Sequence, residues 1–389
     1  LLSLLLLIPL SLSDPNTDEN PWGDYAADCL ADQPLLYDPL PSIQVPWHII
    51  DLDQNPHDRW REIATTYGEK MGIAISKVRK LIDILGDGIW EFLLYLMTDA
   101  PDKFTQPYRD EINAMAEMAG LDIRELTLLN MFYEISKGCT SLVAMDINGK
   151  VFHARNLDFG TFFIWDVESH TWELTNALKD VVVNLEFVRG GKRLFKAVTF
   201  AGHLGILTAI RPGQYTLSTN TRFGSTTKTL IQFFLHGLED KQLLLYANRD
   251  MFTNCETFEE AKAYIESVPL LAQGYFIMGT PTSGMVITRA YNGTDHEAVI
   301  DPSQPNGWYV LETNYDWNEP DIYLDDRTIP GNKCMQQLGR DRVSVAGIYQ
   351  VLSSKTNLNK ATVYTSIMEV ETGFLETFIR HCDDPCWFV

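Results

Sequence analysis

The pair Asn148-Gly149 constrains this chain more than any other short feature. A two-residue hairpin turn needs positive φ at both positions, which Asn and Gly adopt at the least cost. Flanked by strand formers, the pair marks a β-hairpin. Residues 139–147 are rich in strand formers, and 151–159 supply the return strand. A tight hairpin brings its first and last residues together. Cys139, heading the first strand, is therefore expected beside Arg155 and Asp158 near the end of the second. A neighbouring cation favours thiolate over thiol, and a carboxylate can orient an amine or an imidazole. Spacing alone leaves a second reading open, a buried structural cysteine beside a surface ion pair. His153 adds a Cys–His option, with a sheet-facing histidine as its alternative.

The hairpin also marks a change of pattern. Before residue 138 the periodicity is helical: Ile112, Met115, Ala116 and Ala119 fall on one helix face, and Gly120 stops it. Asp122 can cap the next helix with Glu125 at the third helical position, and Leu126, Leu129 and Phe132 or Tyr133 carry it towards Ser136. After residue 138 a second hairpin is expected at 181–188 and 194–201 around Gly190-Gly191. Further strands are expected at 205–210, 215–219, 275–278, 285–289 and 308–315. Helices are expected at 226–237, at 257–267 with Thr257 and Glu260 as a capping box, and at 343–352. Hairpin-linked strands followed by helices point to an α+β layered fold with a largely antiparallel sheet.

Composition bounds the class. With 389 residues, 45% hydrophobic and 21% charged, the chain is globular rather than disordered and long enough for a large core in one or two units. Its net charge of −21 argues against a nucleic-acid surface, which needs clustered Lys and Arg. Residues 1–138 hold 23 acidic and 10 basic side chains, against 29 and 21 in 139–389. Near the sequence pI of 4.7 much of that charge is neutralised, which leaves a membrane surface open as a partner in an acidic compartment. Residues 1–12 are leucine-rich and shorter than the roughly 20 residues that span a bilayer, so 1–13 read as part of a secretory signal. Residues 89–97, interrupted by Glu91, read as a packed helix. The sequon Asn292-Gly293-Thr294 lies in a polar turn and suits a glycan.

The stretch from Cys139 to Ala144, with His153-Ala154-Arg155-Asn156-Leu157-Asp158-Phe159-Gly160, resembles the acid ceramidase family. That family belongs to the choloylglycine-hydrolase-like branch of the N-terminal nucleophile hydrolases. Further similarity runs through Val45-Pro46-Trp47, Asp51-Leu52-Asp53, Phe132-Tyr133-Glu134, Phe200-Ala201-Gly202 and Thr313-Asn314-Tyr315-Asp316. It continues through Leu324-Asp325-Asp326-Arg327, Leu358-Asn359-Lys360 and the terminal Cys382-Asp383-Asp384-Pro385-Cys386. N-acylethanolamine acid amidases are related by function, but the Asp158-Phe159-Gly160 ending and the terminal cysteine pair look more like acid ceramidases.

The resemblance implies an αββα sandwich for 139–389, joined to a mainly helical region at 14–138. It implies a precursor that cleaves itself at Gly138-Cys139 into an α and a β chain. The Cys139 thiol would be the nucleophile and its freed amine the base. Arg155 would sit against the thiol, Asp158 would bond the amine, Asn314 would supply the oxyanion-hole amide, and Arg327 would support the pocket. Asn314 as a strand-end turn residue, and Arg327 as a simple partner of Asp325 or Asp326, remain open.

Family pairing implies disulfides Cys29–Cys334 and Cys382–Cys386, suited to an oxidising secretory route, with Cys255 left over. Zinc at the terminal pair is the rival reading, and the spacing disfavours it. The implied substrate is an N-acylsphingosine, and no cofactor or metal is implied. A lysosomal membrane surface and a saposin-type activator are the implied partners; the address is the lysosome by the secretory pathway, or secretion. The aromatic run Phe159, Phe162, Phe163 and Trp165 is a candidate acyl-channel mouth, with core packing as its alternative. Two departures stand out. Lys137-Gly138 replaces the apolar residue common before the nucleophile, and Thr221 stands where these enzymes typically carry Glu. They keep a non-catalytic lipid-binding relative open.

Overall fold

The computed structural model describes residues 29, 37, 43–84, 86–132, 138–159, 164–222, 241–322 and 325–387. The expected signal at 1–13, the stretch 133–137, the expected helix at 226–237, and Phe162 and Phe163 lie outside these residues.

The hairpin around Asn148-Gly149 forms, but not through the expected two-residue turn: residues 146–150 connect the strands, and of the pair only Gly149 has positive φ. Strand β2 (Cys139–Met145) pairs antiparallel with β3 (Val151–Asp158), setting Cys139 opposite Leu157 and Ser141 opposite Arg155. Gly149 takes φ +86, and the Asp146 carboxylate accepts the amide hydrogens of Asn148 and Lys150 at 2.8 Å each. With β13 (Tyr309–Glu312), β14 (Thr362–Glu369) and β15 (Phe374–Ile379), the hairpin makes a five-stranded sheet in the order β13-β2-β3-β14-β15. The second sheet has eight strands. These are β1 (Trp47–Asp51), β6 (Val182–Arg189), β7 (Lys192–Phe200), β8 (Thr208–Arg211), β9 (Tyr215–Thr221), β10 (Gly274–Gly279), β11 (Gly284–Arg289) and β12 (Thr294–Val299), in that spatial order. Every neighbouring pair is antiparallel except β1 with β6, and the short strands β4 (Trp165–Asp166) and β5 (Thr171–Trp172) pair with each other outside both sheets.

Alternation along the hairpin sorts its residues between two interfaces. Leu142, Ala144, Phe152 and Ala154 pack against the helices Thr328–Leu338 and Val345–Leu352 through Met335 and Ile348. Val143, Met145 and Val151 face the other sheet and meet Tyr275, Ile277 and Val286. On the eight-stranded sheet, Phe187 packs edge-on to Trp60 and Phe195 lies beside Phe252, which brings in the N-terminal helices and the helix Leu244–Asn254. The layers run helix, sheet, sheet, helix: the expected αββα sandwich.

The helical region is stitched to the sandwich by buried charge. Glu111, on the helix Tyr108–Ala119, is fully buried; Arg249 donates to its Oε1 at 2.8 Å, Arg59 at 2.9 Å, and Trp60 donates to its Oε2 at 2.9 Å. Gly120 ends that helix at φ +68, as expected of a C-cap glycine. Asp122 caps the helix Ile123–Phe132 through the Arg124 amide at 2.8 Å. The capping box of Thr257 and Glu260 heads the helix Phe258–Ser267. Two disulfides are present, Cys29–Cys334 and Cys382–Cys386; the terminal pair is thus a bridge rather than a zinc ligand pair. Cys255 is a free, buried thiol whose pKa burial raises.

The helix Ile89–Leu96 packs as expected, through buried Trp90 and the partly buried Ile89, Leu93, Leu94 and Leu96, although Phe92 and Tyr95 are 58% and 73% exposed. Phe159 is buried against Phe200, so of the aromatic run only Trp165 is exposed among the described residues.

Candidate active site

Cys139 opens β2 with its side chain between the two sheets, 2% exposed. Arg155, two residues before the end of the β2–β3 ladder on the same face, donates from Nη2 to the Cys139 sulfur at 2.6 Å. Its Nη1 donates to the Leu207 carbonyl at 3.1 Å and Thr208 Oγ1 at 3.4 Å, at the start of β8 in the opposite sheet. A guanidinium fixed from the far side cannot swing away from the sulfur, so the thiolate form is favoured where it sits.

The backbone around the sulfur is equally constrained. The Cys139 amide donates to Asn314 Oδ1 at 2.8 Å, and Asn314 Nδ2 donates to the Thr221 carbonyl at 2.8 Å. Arg327 donates to the Cys139 carbonyl, to Asn314 Oδ1 at 2.9 Å, and to both Asp325 oxygens at 2.9 Å. Its Nη1 lies 3.7 Å from Asp158 Oδ2. Arg327 thus pairs with Asp325, as one reading of the sequence had it, and touches the Cys139 backbone as well. Asn314 is placed at a strand end just beyond β13, and it also bonds the nucleophile's own amide.

Asp158 does not reach Cys139 with its carboxylate. Thr362 donates to its Oδ1 at 2.6 Å and Asn359 to its Oδ2 at 3.2 Å. Burial raises its carboxyl pKa, with Arg327 opposing. Its main-chain N–H, however, donates to the Gly138 carbonyl at 2.8 Å. That carbonyl belongs to the expected cleavage bond. Gly138 has φ +132, and a Cβ there would lie 2.9 Å from the Asp158 carbonyl oxygen. The glycine is therefore what lets the chain pass so close to Asp158, not a neutral replacement.

His153 faces the other sheet, as one of its two sequence readings had it. Its ring nitrogens each lie 2.8 Å from a hydroxyl, Thr216 and Ser218, and burial followed by Arg155 pushes its pKa down to about 3. A histidine so strongly held neutral is a poor base in an acidic compartment. Around it runs a polar seam between the sheets: Ser218 donates to Ser141 at 3.0 Å, Ser141 to Asn220 Oδ1 at 2.8 Å, and Asn220 to the carbonyls of Glu312 and Thr313. Asn220 therefore fixes the strand end that carries Asn314. Asn220, Thr362 and Asn359 escaped sequence reasoning. Leu358-Asn359-Lys360 carried part of the resemblance, which was the one available signal. Thr221 contributes its carbonyl, so the carboxylate expected at that position has no counterpart there.

Comparison with known proteins adds to this geometry. Residues 43–104 match the family model described as the beta subunit of N-acylethanolamine-hydrolyzing acid amidase, and residues 139–316 match linear amide C-N hydrolases of the choloylglycine hydrolase family. A probable acid ceramidase of Caenorhabditis elegans is 40% identical over 99% of this chain and 98% of its own length. The acid ceramidase of Homo sapiens is 35% identical, with 88% of each chain covered. Among solved structures, a Caenorhabditis elegans N-acylethanolamine-hydrolyzing acid amidase ortholog superposes with a TM-score of 0.53 at 27% identity. The match covers 62% of this chain and all of that one.

Proposed function

The chain belongs to the acid ceramidase family, and we propose that it hydrolyses N-acylsphingosine to sphingosine and fatty acid after cutting itself between Gly138 and Cys139. The observation that carries this reading is the Arg155 guanidinium 2.6 Å from the Cys139 sulfur, at a residue whose amide is itself held by Asn314.

In maturation the Cys139 sulfur attacks the Gly138 carbonyl carbon through a five-membered ring. The C–N bond breaks, the amine takes a proton, and a thioester forms that water hydrolyses to the Gly138 carboxylate and the free thiol. The Asp158 main-chain N–H, already on the Gly138 oxygen, stabilises the charge that develops there. The products are an α chain, 14–138, retained by Cys29–Cys334, and a β chain, 139–389.

In amide hydrolysis the new α-amine takes the thiol proton, and the sulfur attacks the acyl carbonyl. The amine then passes that proton to the departing sphingosine nitrogen. Water splits the acyl-thioester and releases the fatty acid, restoring the thiol. Arg155 stabilises the thiolate. Asp158, buried with Thr362 and Asn359, holds the amine in place once the peptide bond is gone. An amide nitrogen carries two hydrogens, so Asn314 Nδ2 keeps one for the substrate oxyanion while the other stays on Thr221. Arg327 fixes Asn314 and the Cys139 carbonyl.

The address proposed is the lysosome, reached through the secretory pathway, with a glycan on the exposed Asn292. None of the described helices is long and apolar enough to cross a membrane. Approach to lipid falls to Phe92 and Tyr95 on the helix Ile89–Leu96, with a saposin-type protein as a lipid-presenting partner. Because the matched model at 43–104 belongs to N-acylethanolamine amidases, N-acylethanolamines are the second candidate substrate. The deciding experiment measures hydrolysis of both lipid amides by the self-cleaved protein at lysosomal pH, beside Cys139→Ala. Faster turnover of N-acylsphingosine, absent from the variant, is expected. Faster turnover of N-acylethanolamine favours the second substrate, and no turnover of either removes the enzyme reading.

A further inference from the structure

Behind Asp158 lies a cavity of about 500 Å³ whose lining does not include Cys139. Four bases converge on it: His170, Lys179, Lys360 and His381. In a chain of net charge −21 such a gathering is unusual, and its neutralisation is incomplete. One exposed carboxylate, Asp384, serves two of the bases, with Lys360 Nζ at 3.0 Å from Oδ1 and His170 Nδ1 at 2.6 Å from Oδ2. Lys179 has an amide instead, Asn176 Oδ1 at 3.5 Å, and pairs with no carboxylate among the described residues. Burial and then Lys360 push the Lys179 pKa down to about 8, which places the two ammonium groups in each other's field and still leaves Lys179 charged in acid.

The remaining charges facing the cavity are Glu168 and Asp383, with Arg380 acting on His381 from beside it. Burial lowers the His381 pKa; Lys179 and Arg380 lower it further, and Asp383 opposes them. His381 therefore gains its proton only as the medium becomes distinctly acidic, and the cavity becomes more positive as pH falls. Converging ammonium and imidazolium donors match the several acceptor oxygens of a phosphate group. The volume exceeds what one phosphate fills, leaving room for an attached glycerol- or sugar-sized group.

We propose that this cavity binds a phosphate ester, with the phosphate held among Lys179, Lys360 and His381. The site shares a wall with the candidate active site: Asn359 lines the cavity, and its Nδ2 donates to Asp158 Oδ2 at 3.2 Å.

The test is calorimetric titration of the full-length protein with glycerol 3-phosphate at about pH 5 and about pH 7.5, which brackets the histidine range. A second arm uses sedimentation with phosphatidylglycerol vesicles, with phosphatidylcholine vesicles as the neutral comparison. Lys179→Gln removes one charge-assisted bond, which corresponds to about tenfold weaker binding or more. Lys179→Arg, which keeps the charge, should bind nearly as the parent does. Acid-favoured binding of glycerol 3-phosphate that Lys179→Gln weakens supports the proposal with a soluble ester. Binding confined to phosphatidylglycerol vesicles, again weakened by Lys179→Gln, supports it with a lipid head group. Absence of binding in both arms, or binding that Lys179→Gln leaves unchanged, overturns it.

Discussion

Two buried arginine–carboxylate clusters in this molecule use the same residue types to opposite ends. Around Glu111, both carboxylate oxygens are satisfied by Arg249, Arg59 and Trp60. Burial alone would raise the Glu111 carboxyl, but the attraction and bonds of Arg249, with Arg59 and Trp60, hold it below its usual range. Around Arg327, two carboxyls move the other way. Burial raises Asp158, and it raises Asp321 to about 6 despite bonds from Thr328. One cluster sets two arginines and an indole on a single carboxylate and clamps the helical region to the sandwich. The other gathers more acids than one arginine can neutralise, beside a cysteine whose sulfur is held by a second arginine. The first arrangement serves structure; the second is the one that the proposed function assigns to the reaction.

Breaking the second cluster should cost activity, and breaking the first should cost stability. The largest effect is expected from Arg155→Met, which removes the cation from the thiol. Turnover of an N-acyl lipid should fall by about 100-fold or more, on the scale of losing one charge-stabilising donor. The acidic limb of its pH–rate profile should also move to higher pH, because the thiolate loses its stabilising charge. A profile of unchanged shape would remove Arg155 from the mechanism.

Glu111→Gln leaves Arg249 buried without its counter-charge, at a cost of about 3–5 kcal/mol measured by denaturant unfolding, with activity per folded molecule retained. The sign with pH follows from the lowered folded-state value. The contribution of Glu111 is fully present above its unfolded pKa near 4.5 and is lost as pH falls through the folded value. The gap between parent and variant should hold from neutral pH to about 5 and shrink only below about 4.5.

How much of this contrast could be read in the sequence depends on how local each signal is. Gly149 and Gly190-Gly191 favour their turns by backbone conformation alone, and both hairpins form within a residue or two of their expected limits. The pairing of Cys139 with Arg155 follows from that hairpin. Strands β14 and β15 were missed, although Thr362–Glu369 is rich in strand formers, and the expected strand at 308–315 shrinks to Tyr309–Glu312 because Thr313 and Asn314 turn into the site. The Glu111–Arg249 clamp joins residues 138 positions apart, and no spacing rule connects them. The same holds for Asn359 and Thr362, which reach Asp158 across more than 200 positions.

Two smaller effects sharpen the comparison further. Gly138→Ala puts a Cβ against the Asp158 carbonyl at a backbone angle that L-residues avoid, a strain of about 1–3 kcal/mol. Self-cleavage, followed by gel densitometry over time, should slow about tenfold, while Glu111-dependent stability stays as it was. Asp321→Asn should have the smallest effect. With a folded value near 6 against 3.8 unfolded, Asp321 makes the native state bind the extra proton between those limits, so it favours folding as pH falls. The variant should lose that pH dependence between about 4 and 6 in thermal unfolding, with turnover at the acid end little changed.

The central claim is that the Cys139 sulfur cuts the bond before it. Mass spectrometry of the reduced protein after incubation at lysosomal pH, beside Cys139→Ala, tests it most directly. The account predicts two fragments in the parent, one beginning at Cys139, and a single intact chain in the variant. An intact parent that still hydrolyses N-acyl lipid, or a variant cut at the same bond, would contradict it.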